Sequence, residues 1–461
     1  MPSFIDCIVV PFGLSELVGA ARTLGVLAYA DGLYPQAMTT APVSEYTVFV
    51  AHSRNGKYVA CLRRVLSEDQ SPPSWSFAYD KYSVDVYDTD SWQLLHTLQP
   101  LPGLTTFPNA MVVSNAGVVA LAANQDGVRV ADAVSKTELA LLSFGSTMPP
   151  ATYMGQSMLP VLEFSPAEDY LFVARISFGV ATFKTADWTR DTTMVLDARF
   201  YDPESPDDEV AMRSPSIWQK FSPSGDAIYL YGHEYGLRGK SWPALEPLSV
   251  PALNMGESVT DLGFSPDGQY LFFTMGADSE GVVTLSKLDL TDAQAQPVVV
   301  VQTQPDTFKA SAKIGFSFSP DHTTVALMGH APNALINGDY AGAQGAGALV
   351  IADMASGEVQ KSSVWTIKGF LGDGFSRFAV WLPQAKLQLV TGLIKDADGA
   401  GVARDVLLSP RSKESLAQPQ WTQSDATGRF KVPVALKGEL LSRVVFDSTG
   451  TFNDLIDKVQ V

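Results

Sequence analysis

A pattern of apolar positions on both sides of a short polar turn recurs along the middle of this chain. In its clearest copy, Phe264 precedes Ser265-Pro-Asp-Gly268, and the apolar run Tyr270-Leu-Phe-Phe273 follows. Proline favours the first corner of a type I turn, and glycine tolerates the positive φ that returns the chain as a hairpin. An apolar run of this length indicates a strand that is buried on both faces. Each copy therefore predicts the first two strands of a sheet that packs between other sheets.

Six copies of this pattern are recognisable, with their serines 43 to 61 residues apart, and Val380-Trp-Leu-Pro383 is a weaker seventh. Units of about this length with inserted loops are typical of four-stranded propeller blades. The expected fold class is all-β, a six- or seven-bladed β-propeller over residues 42–385. Two copies are weak and centre on Ser53 and Ser114. The four strong copies supply the predicted structural turn residues, which are Pro166, Pro223, Gly225, Pro266, Asp267, Gly268, Pro320 and Asp321.

The Phe-Ser-Pro-Asp-Gly turn between two strands resembles the WD40-like and YVTN-type propeller repeats. This resemblance implies an architecture but no activity, because propellers serve as enzymes, scaffolds and lectins. The Trp-Asp and Gly-His dipeptides of WD40 blades are missing, which argues against a eukaryotic-type signalling scaffold.

Residues 1–41 precede the repeats and allow two interpretations. They form either an arm or a strand that closes the propeller, since Leu24-Gly-Val-Leu-Ala-Tyr-Ala-Asp-Gly32 has the pattern of a strand. Closure of the ring removes free sheet edges, so some closing strand is expected. The small apolar residues over 13–28 favour a helix packed on the main body.

The pattern changes after Pro383 to a series of short strands over residues 386–461. The segments Val390-Thr-Gly, Asp396-Ala-Asp-Gly, Ser424-Asp-Ala-Thr-Gly and Phe452-Asn-Asp-Leu-Ile occur there in order. Together they resemble the carboxypeptidase-regulatory, transthyretin-like sandwich found in tailed-bacteriophage virion proteins. The resemblance implies a small Ig/transthyretin-like β-sandwich domain.

Composition excludes several classes of protein. The net charge of −17 opposes binding to phosphate backbones, so no nucleic-acid partner is expected. No apolar run approaches the roughly 20 residues of a membrane span, so no membrane insertion is expected. The absence of Lys and Arg before Arg22 predicts no secretory signal. Cys7 and Cys61 are too few for a disulfide framework or a zinc site and are expected to be buried thiols.

No motif predicts catalysis, a cofactor or a metal. Asp396-Ala-Asp-Gly lacks the further oxygen ligands of a calcium loop, and neither a Gly-x-Ser-x-Gly elbow nor a phosphate-binding loop occurs. The five histidines lack the spacing of metal ligands. They are scattered over the repeats, at His52, His96, His233, His322 and His330.

Loops between the repeats are the remaining candidates for recognition, since rigid scaffolds carry binding residues on loops. An acidic stretch and two loop tryptophans are predicted interaction residues, although packing is the expected role for most of the eight tryptophans, Trp218 and Trp381 among them. The candidates are Asp202, Glu204, Asp207, Asp208, Trp75 and Trp242.

These patterns together predict a non-enzymatic structural protein of a tailed-bacteriophage virion, in the tail or tail tip. It would be made in the host cytoplasm and would serve as a rigid platform for protein interaction or host attachment. Its expected partners are other tail proteins and a host receptor or glycan, with an oligomeric state set by virion symmetry. The alternatives are a bacterial surface or periplasmic propeller that binds peptide or glycan, and a propeller enzyme of the lactonase or glycosidase type.

Overall fold

The fold was analysed in a computed structural model of the chain. The residues that it describes are 4–12, 23–29, 33–37, 45–65, 82–98, 108–123, 127–142, 152–153, 156–157, 161–175, 179–191, 217–232, 236–253, 259–310, 312, 314–331, 344–368, 380–383, 387–396, 398–410, 420–434, 440–446 and 455–460. Within these ranges no helix is long and apolar enough to cross a membrane.

Every regular element in the described residues is a β-strand. Three strands come first: β1 (Phe4–Phe12), β2 (Thr23–Tyr29) and β3 (Leu33–Ala37). The first blade contains β4 (Glu45–His52), β5 (Tyr58–Val65), β6 (Tyr82–Asp88) and β7 (Leu94–Leu98). The second blade contains β8 (Pro108–Val113), β9 (Val118–Ala123), β10 (Gly127–Asp132) and β11 (Thr137–Leu142). A small hairpin of β12 (Thr152–Tyr153) and β13 (Gln156–Ser157) follows.

Four more blades are built in the same way, each from one contiguous segment of chain. The third contains β14 (Val161–Phe164), β15 (Tyr170–Arg175) and β16 (Gly179–Lys184). The fourth contains β17 (Ile217–Phe221), β18 (Ala227–Gly232), β19 (Gly236–Ser241) and β20 (Pro247–Leu248). The fifth contains β21 (Val259–Phe264), β22 (Tyr270–Met275), β23 (Thr284–Asp289) and β24 (Val298–Gln302). The sixth contains β25 (Gly315–Phe318), β26 (Thr324–His330), β27 (Gln344–Asp353) and β28 (Val359–Lys368).

A further sheet joins the two ends of this series. Strand β29 (Val380–Trp381) pairs with β1, which pairs with β2 and through it with β3. The inner strands contact one another in the order β4, β8, β14, β17, β21, β25 and β29, and β29 contacts β4 again. The ring is therefore closed by a sheet with one strand from after the six blades and three from the N-terminus. The predicted strand over 24–32 corresponds to β2, which pairs with β1, and β1 is the strand that pairs with β29. The helix predicted over 13–28 is wrong for Thr23–Ala28, which belong to β2.

The predicted repeat turns share one hydrogen-bond pattern. In all six turns, the carbonyl of the serine accepts a hydrogen bond from the N–H three residues later. That third residue has a positive φ in every copy, which explains the frequent glycine there. The six residues are Gly56, Gly117, Glu168, Gly225, Gly268 and His322.

The core of the ring lies between neighbouring blades. Phe272 of the fifth blade packs in one cluster with Val350 of the sixth, and Val84 of the first packs with Leu121 of the second. The second and third strands are thus covered on both faces, as their continuous apolar character predicts. Cys61 is buried in β5, and its burial, followed by the charge of Asp85, raises the pKa of its thiol.

The C-terminal region forms two small groups of paired strands. Strand β30 (Leu387–Leu393) pairs with β33 (Arg429–Val434), which follows β31 (Asp405–Pro410) and β32 (Gln420–Gln423) in the chain. The remaining strands are β34 (Leu440–Phe446) and β35 (Leu455–Gln460), and they complete a second sheet of order β32-β31-β34-β35. Both groups contribute to one apolar cluster that contains Val390, Val406 and Phe430. The small Ig/transthyretin-like β-sandwich stays a prediction.

Strand β1 connects this region with the propeller. Its residues Ile8 and Val9 pair with β29, and its residues Phe4 and Ile5 pair with β30. The first strand of the chain therefore belongs to both the ring-closing sheet and the C-terminal sheet.

Candidate functional site

A cavity of about 580 Å³ lies among the inner strands of the ring. Its walls are largely apolar, with Phe49, Val112, Val161, Trp218 and Val380 from five different sheets. Each of these residues sits on the first strand of its blade, and the first strands surround the axis of the propeller. The cavity is thus the central channel of the ring.

Four charged side chains line this cavity, and three of them form one cluster. The fourth, Glu168, accepts a hydrogen bond from the N–H of Asn115. Glu163 Oε1 lies 3.7 Å from Arg54 Nη2, and Glu163 Oε2 lies 3.6 Å from Lys220 Nζ. The side chain of Glu163 is 15% exposed, whereas those of Arg54 and Lys220 are 43% and 31% exposed. Two cations therefore share one partly buried carboxylate.

The three residues come from three different blades. Glu163 and Lys220 occupy equivalent positions on β14 and β17, two residues before the serine of each turn. Arg54 lies in the turn of the first blade, and the inner strand β8 of the second blade lies between β4 and β14. The Arg54 side chain therefore reaches past the second blade to contact the third.

Two of the five histidines also line the cavity, at its turn end. His52 Nδ1 lies 2.8 Å from the backbone oxygen of Ser53, and the ring of His322 stacks on Phe318 with centroids 4.7 Å apart. Burial lowers the pKa of His322, and the charges of Asp321 and Asp267 oppose this effect. The net effect on His322 favours the neutral imidazole. Among the described residues, no group of three His, Cys, Asp or Glu side chains has the arrangement of a metal site.

Gln219 is a buried polar residue on the cavity wall, with 1% of its surface exposed. Its Nε2 donates to the carbonyl oxygens of Val161 and Phe172, both at 3.1 Å. Within the described part of the chain, its Oε1 has no hydrogen-bond partner. The side chain therefore links the third and fourth blades and retains one unused acceptor.

The predicted turn residues are tied into their own turns. Asp267 Oδ1 accepts hydrogen bonds from the Ser265 hydroxyl and from the N–H of Gln269. The Ser265 hydroxyl is the largest cause of the lowered pKa of Asp267, and the Gln269 N–H adds to it. Asp321 accepts from Ser319 and Thr323 in the same way. These carboxylates stabilise the turns that surround the mouth of the channel.

Of the predicted interaction residues, the structure describes Trp242 alone. Trp242 is half-buried and packs edge-on against Phe172 and Phe221, with ring centroids 5.3 Å apart in both pairs. This contact gives Trp242 a structural role, and its role in recognition stays a prediction. Trp381 is buried, and half-buried Trp218 lines the channel. The other candidates lie outside the described residues, as does His233: they are Trp75, Asp202, Glu204, Asp207 and Asp208.

The sequence alone did not indicate Arg54, Glu163 and Lys220. A comparison of the repeats at the position of Glu163 and Lys220 offers a signal, because only these two copies are charged there. The other copies have Ala51, Val112, Gly263, Ser317 and Val380.

Comparison with known proteins adds one structural similarity. No protein-family model and no curated protein sequence matches the chain. Among solved structures, the β-propeller domain of Myceliophteria thermophila Cps50 (Swd1) is similar at 12% sequence identity and a TM-score of 0.47, over 85% of this chain and 97% of that domain. The assignment of the propeller rests on the strand pairing described above.

Proposed function

We propose that this chain is a non-catalytic structural protein of a tailed-bacteriophage virion, located in the tail or tail tip. The propeller acts as a rigid platform for other tail proteins or for the host surface. The observation that carries the proposal is the shared strand β1, which pairs with both β29 and β30. A platform has to hold its modules in a fixed relative position. A strand that is common to both sheets joins them through main-chain hydrogen bonds.

The C-terminal motif set supports the virion assignment. Its two turns pack directly on one another, because the N–H of Ile394 donates to the carbonyl of Gly428 at 2.7 Å. The Ser424 hydroxyl also donates to the carbonyl of Val402 at 2.8 Å. A Cβ on Gly428 would lie 1.9 Å from the oxygen of Ile394, so the glycine of this motif is required by the close approach. The motif pieces that resemble virion proteins thus act as one structural unit.

The repeat turns support a structural role for the propeller. Each turn serine bonds within its own turn, as when Ser265 Oγ accepts from the N–H of Tyr270 at 2.9 Å. The Ser222 hydroxyl likewise donates to Asp226 at 2.8 Å. These polar groups hold the scaffold together, which fits a platform whose recognition residues lie elsewhere.

Proteomics of virions provides the test. Particles of the phage that encodes this chain would be purified through a density gradient and digested for quantitative mass spectrometry. We expect to detect peptides of this chain in the particles. Its copy number per particle should be in a fixed ratio to that of the known tail proteins. Antibody against the chain should label the tail in electron micrographs. Purified particles that lack the chain would overturn the virion assignment, and a purified chain that turns over a lactone or glycoside substrate would overturn the non-catalytic role.

A further inference from the structure

The central cavity has the features of a binding site for a small acidic ligand. We propose that it binds a sugar residue that carries a carboxylate, such as a uronic or sialic acid. Arg54 and Lys220 bind the carboxylate, and the indole of Trp218 packs against the sugar ring. This inference is independent of the virion assignment, because it rests only on the residues of the channel.

The charges provide the first argument. Arg54 and Lys220 lie 3.7 and 3.6 Å from Glu163, farther than the usual 2.7–3.2 Å of a direct N–H···O hydrogen bond. Arginine has five N–H donors and lysine has three, so a shared contact with one carboxylate leaves donors for a second. The planar guanidinium binds carboxylates through two parallel hydrogen bonds. A ligand carboxylate can therefore bind between these cations at little cost to the loose existing pairs.

The position of Trp218 provides the second argument. Trp218 and Lys220 are two residues apart on β17, which places them on one face of the strand about 7 Å apart. The indole Nε1 donates to the carbonyl of Val259 at 3.2 Å, and this bond fixes the orientation of the ring. An aromatic face packs well against the C–H face of a pyranose. The distance suits a ligand with an apolar ring face next to an anionic group.

The size of the cavity provides the third argument. The volume of about 580 Å³ falls in the range of small-molecule sites and accommodates one or two sugar residues.

Calorimetric titration of the full chain tests the proposal. The probes are D-glucuronic acid and N-acetylneuraminic acid, with D-glucose as the neutral control. We expect saturable binding of at least one acidic sugar and no heat of binding from glucose. Equal binding of glucose, or no binding of either acid up to tens of millimolar, would overturn it.

Two variants should move the affinity in opposite directions. Lys220→Gln removes a charged donor and should weaken binding by about tenfold or more. Glu163→Gln removes the competing carboxylate and should tighten binding, a result that loss of folding cannot imitate. The matched control is Lys136→Gln, because Lys136 is exposed in the outer turn of the second blade. An unchanged affinity in Lys220→Gln, or a weaker one in Glu163→Gln, would contradict the assigned roles.

A parallel titration with an acidic peptide distinguishes a sugar-binding site from a site for an acidic protein segment. Hexaglutamate carries the same carboxylates without a pyranose ring or hydroxyl groups. We expect Trp218→Leu to abolish sugar binding, with an unchanged circular dichroism spectrum and melting transition as the folding control. Binding of hexaglutamate without binding of either acidic sugar would overturn the proposal in favour of a peptide site.

Discussion

Pro383 fills the space above Gly56, so that a Cβ added to Gly56 would lie 2.7 Å from Pro383 Cγ. Pro383 follows β29, and Gly56 lies in the turn of the first blade, so this contact spans the closure of the ring. The same relation joins Pro166 and Gly225 in the third and fourth blades, at 2.6 Å. The proline of one turn therefore packs on the glycine of the next, and the weakest sequence repeat makes the same contact as the strong ones.

This contact predicts the effect of Gly56→Ala. Gly56 has a φ of +68°, and the added methyl would collide with the Pro383 ring. We expect a loss of about 2–4 kcal/mol in the free energy of unfolding from backbone strain and overpacking together. Urea denaturation followed by tryptophan fluorescence measures it.

Gly399→Ala is the matched control for this variant. Gly399 also has a positive φ, +85°, but nothing lies within 4 Å of its added Cβ. The Gly399→Ala variant should lose only the share of the unfolding free energy that comes from backbone strain, about 1 kcal/mol. Equal losses in the two variants would show that the contact with Pro383 contributes nothing.

The N-terminal strands should be essential for the ring. Deletion of residues 1–37 removes β1, β2 and β3, which uncovers β29 and the buried side chain of Trp381. A propeller without its closing sheet exposes unpaired strand edges, so we expect aggregation or the loss of a cooperative melting transition. Size-exclusion chromatography and calorimetry provide the measurement.

Deletion of residues 387–461 is the control for this truncation. It removes β30 and the other C-terminal strands but keeps the pairing of β29 with β1. We expect a soluble monomeric propeller with a cooperative transition. If both truncations melt alike, the N-terminal strands do not close the ring.

Trp242 should contribute to stability through its contacts with Phe172 and Phe221. Trp242→Leu removes three edge-on aromatic pairs, including one with Tyr170, from the boundary between the third and fourth blades. A loss of about 1–3 kcal/mol in unfolding free energy is expected for this half-buried side chain. Leu94→Ala, at a position 50% exposed, should stay within about 0.5 kcal/mol of the parent protein. A Trp242→Leu protein as stable as the parent would instead favour a role in recognition.

The turn carboxylates predict how stability depends on pH. The Ser265 hydroxyl lowers the pKa of Asp267, and the hydroxyls of Ser224 and Ser222 lower that of Asp226. A pKa that is lower in the folded state stabilises the fold above the ordinary pKa of the group, and this contribution is lost as pH falls through the folded value. The urea concentration at the midpoint of unfolding should therefore decrease as the pH is lowered from about 4 to about 2.

Ser265→Ala tests the origin of this dependence. It removes the donor to Asp267, so its loss of stability relative to the parent should be smaller at pH 2 than at pH 7. Parallel urea titrations at the two pH values measure the difference. A difference of the same size at both pH values would mean that the charge of Asp267 does not contribute.

The sequence by itself determined the repeats, because each turn depends on residues that are adjacent in the chain. Proline at the first corner, a residue with positive φ three positions after the serine, and an apolar return strand specify each hairpin locally. The apolar segment over residues 24–32 likewise indicated a strand. The C-terminal motifs predicted strands at the positions of β30 and β33, since their tight turns are also local.

Only the tertiary structure decided which residues meet in the channel. Arg54, Glu163 and Lys220 lie in three blades and come together because the ring folds their inner strands around one axis. It also showed that β1 pairs with both β29 and β30, a non-local choice that depends on where the ends of the ring arrive. The physical reason is that contacts between distant segments depend on the geometry of the closed ring, which no local pattern of residues encodes.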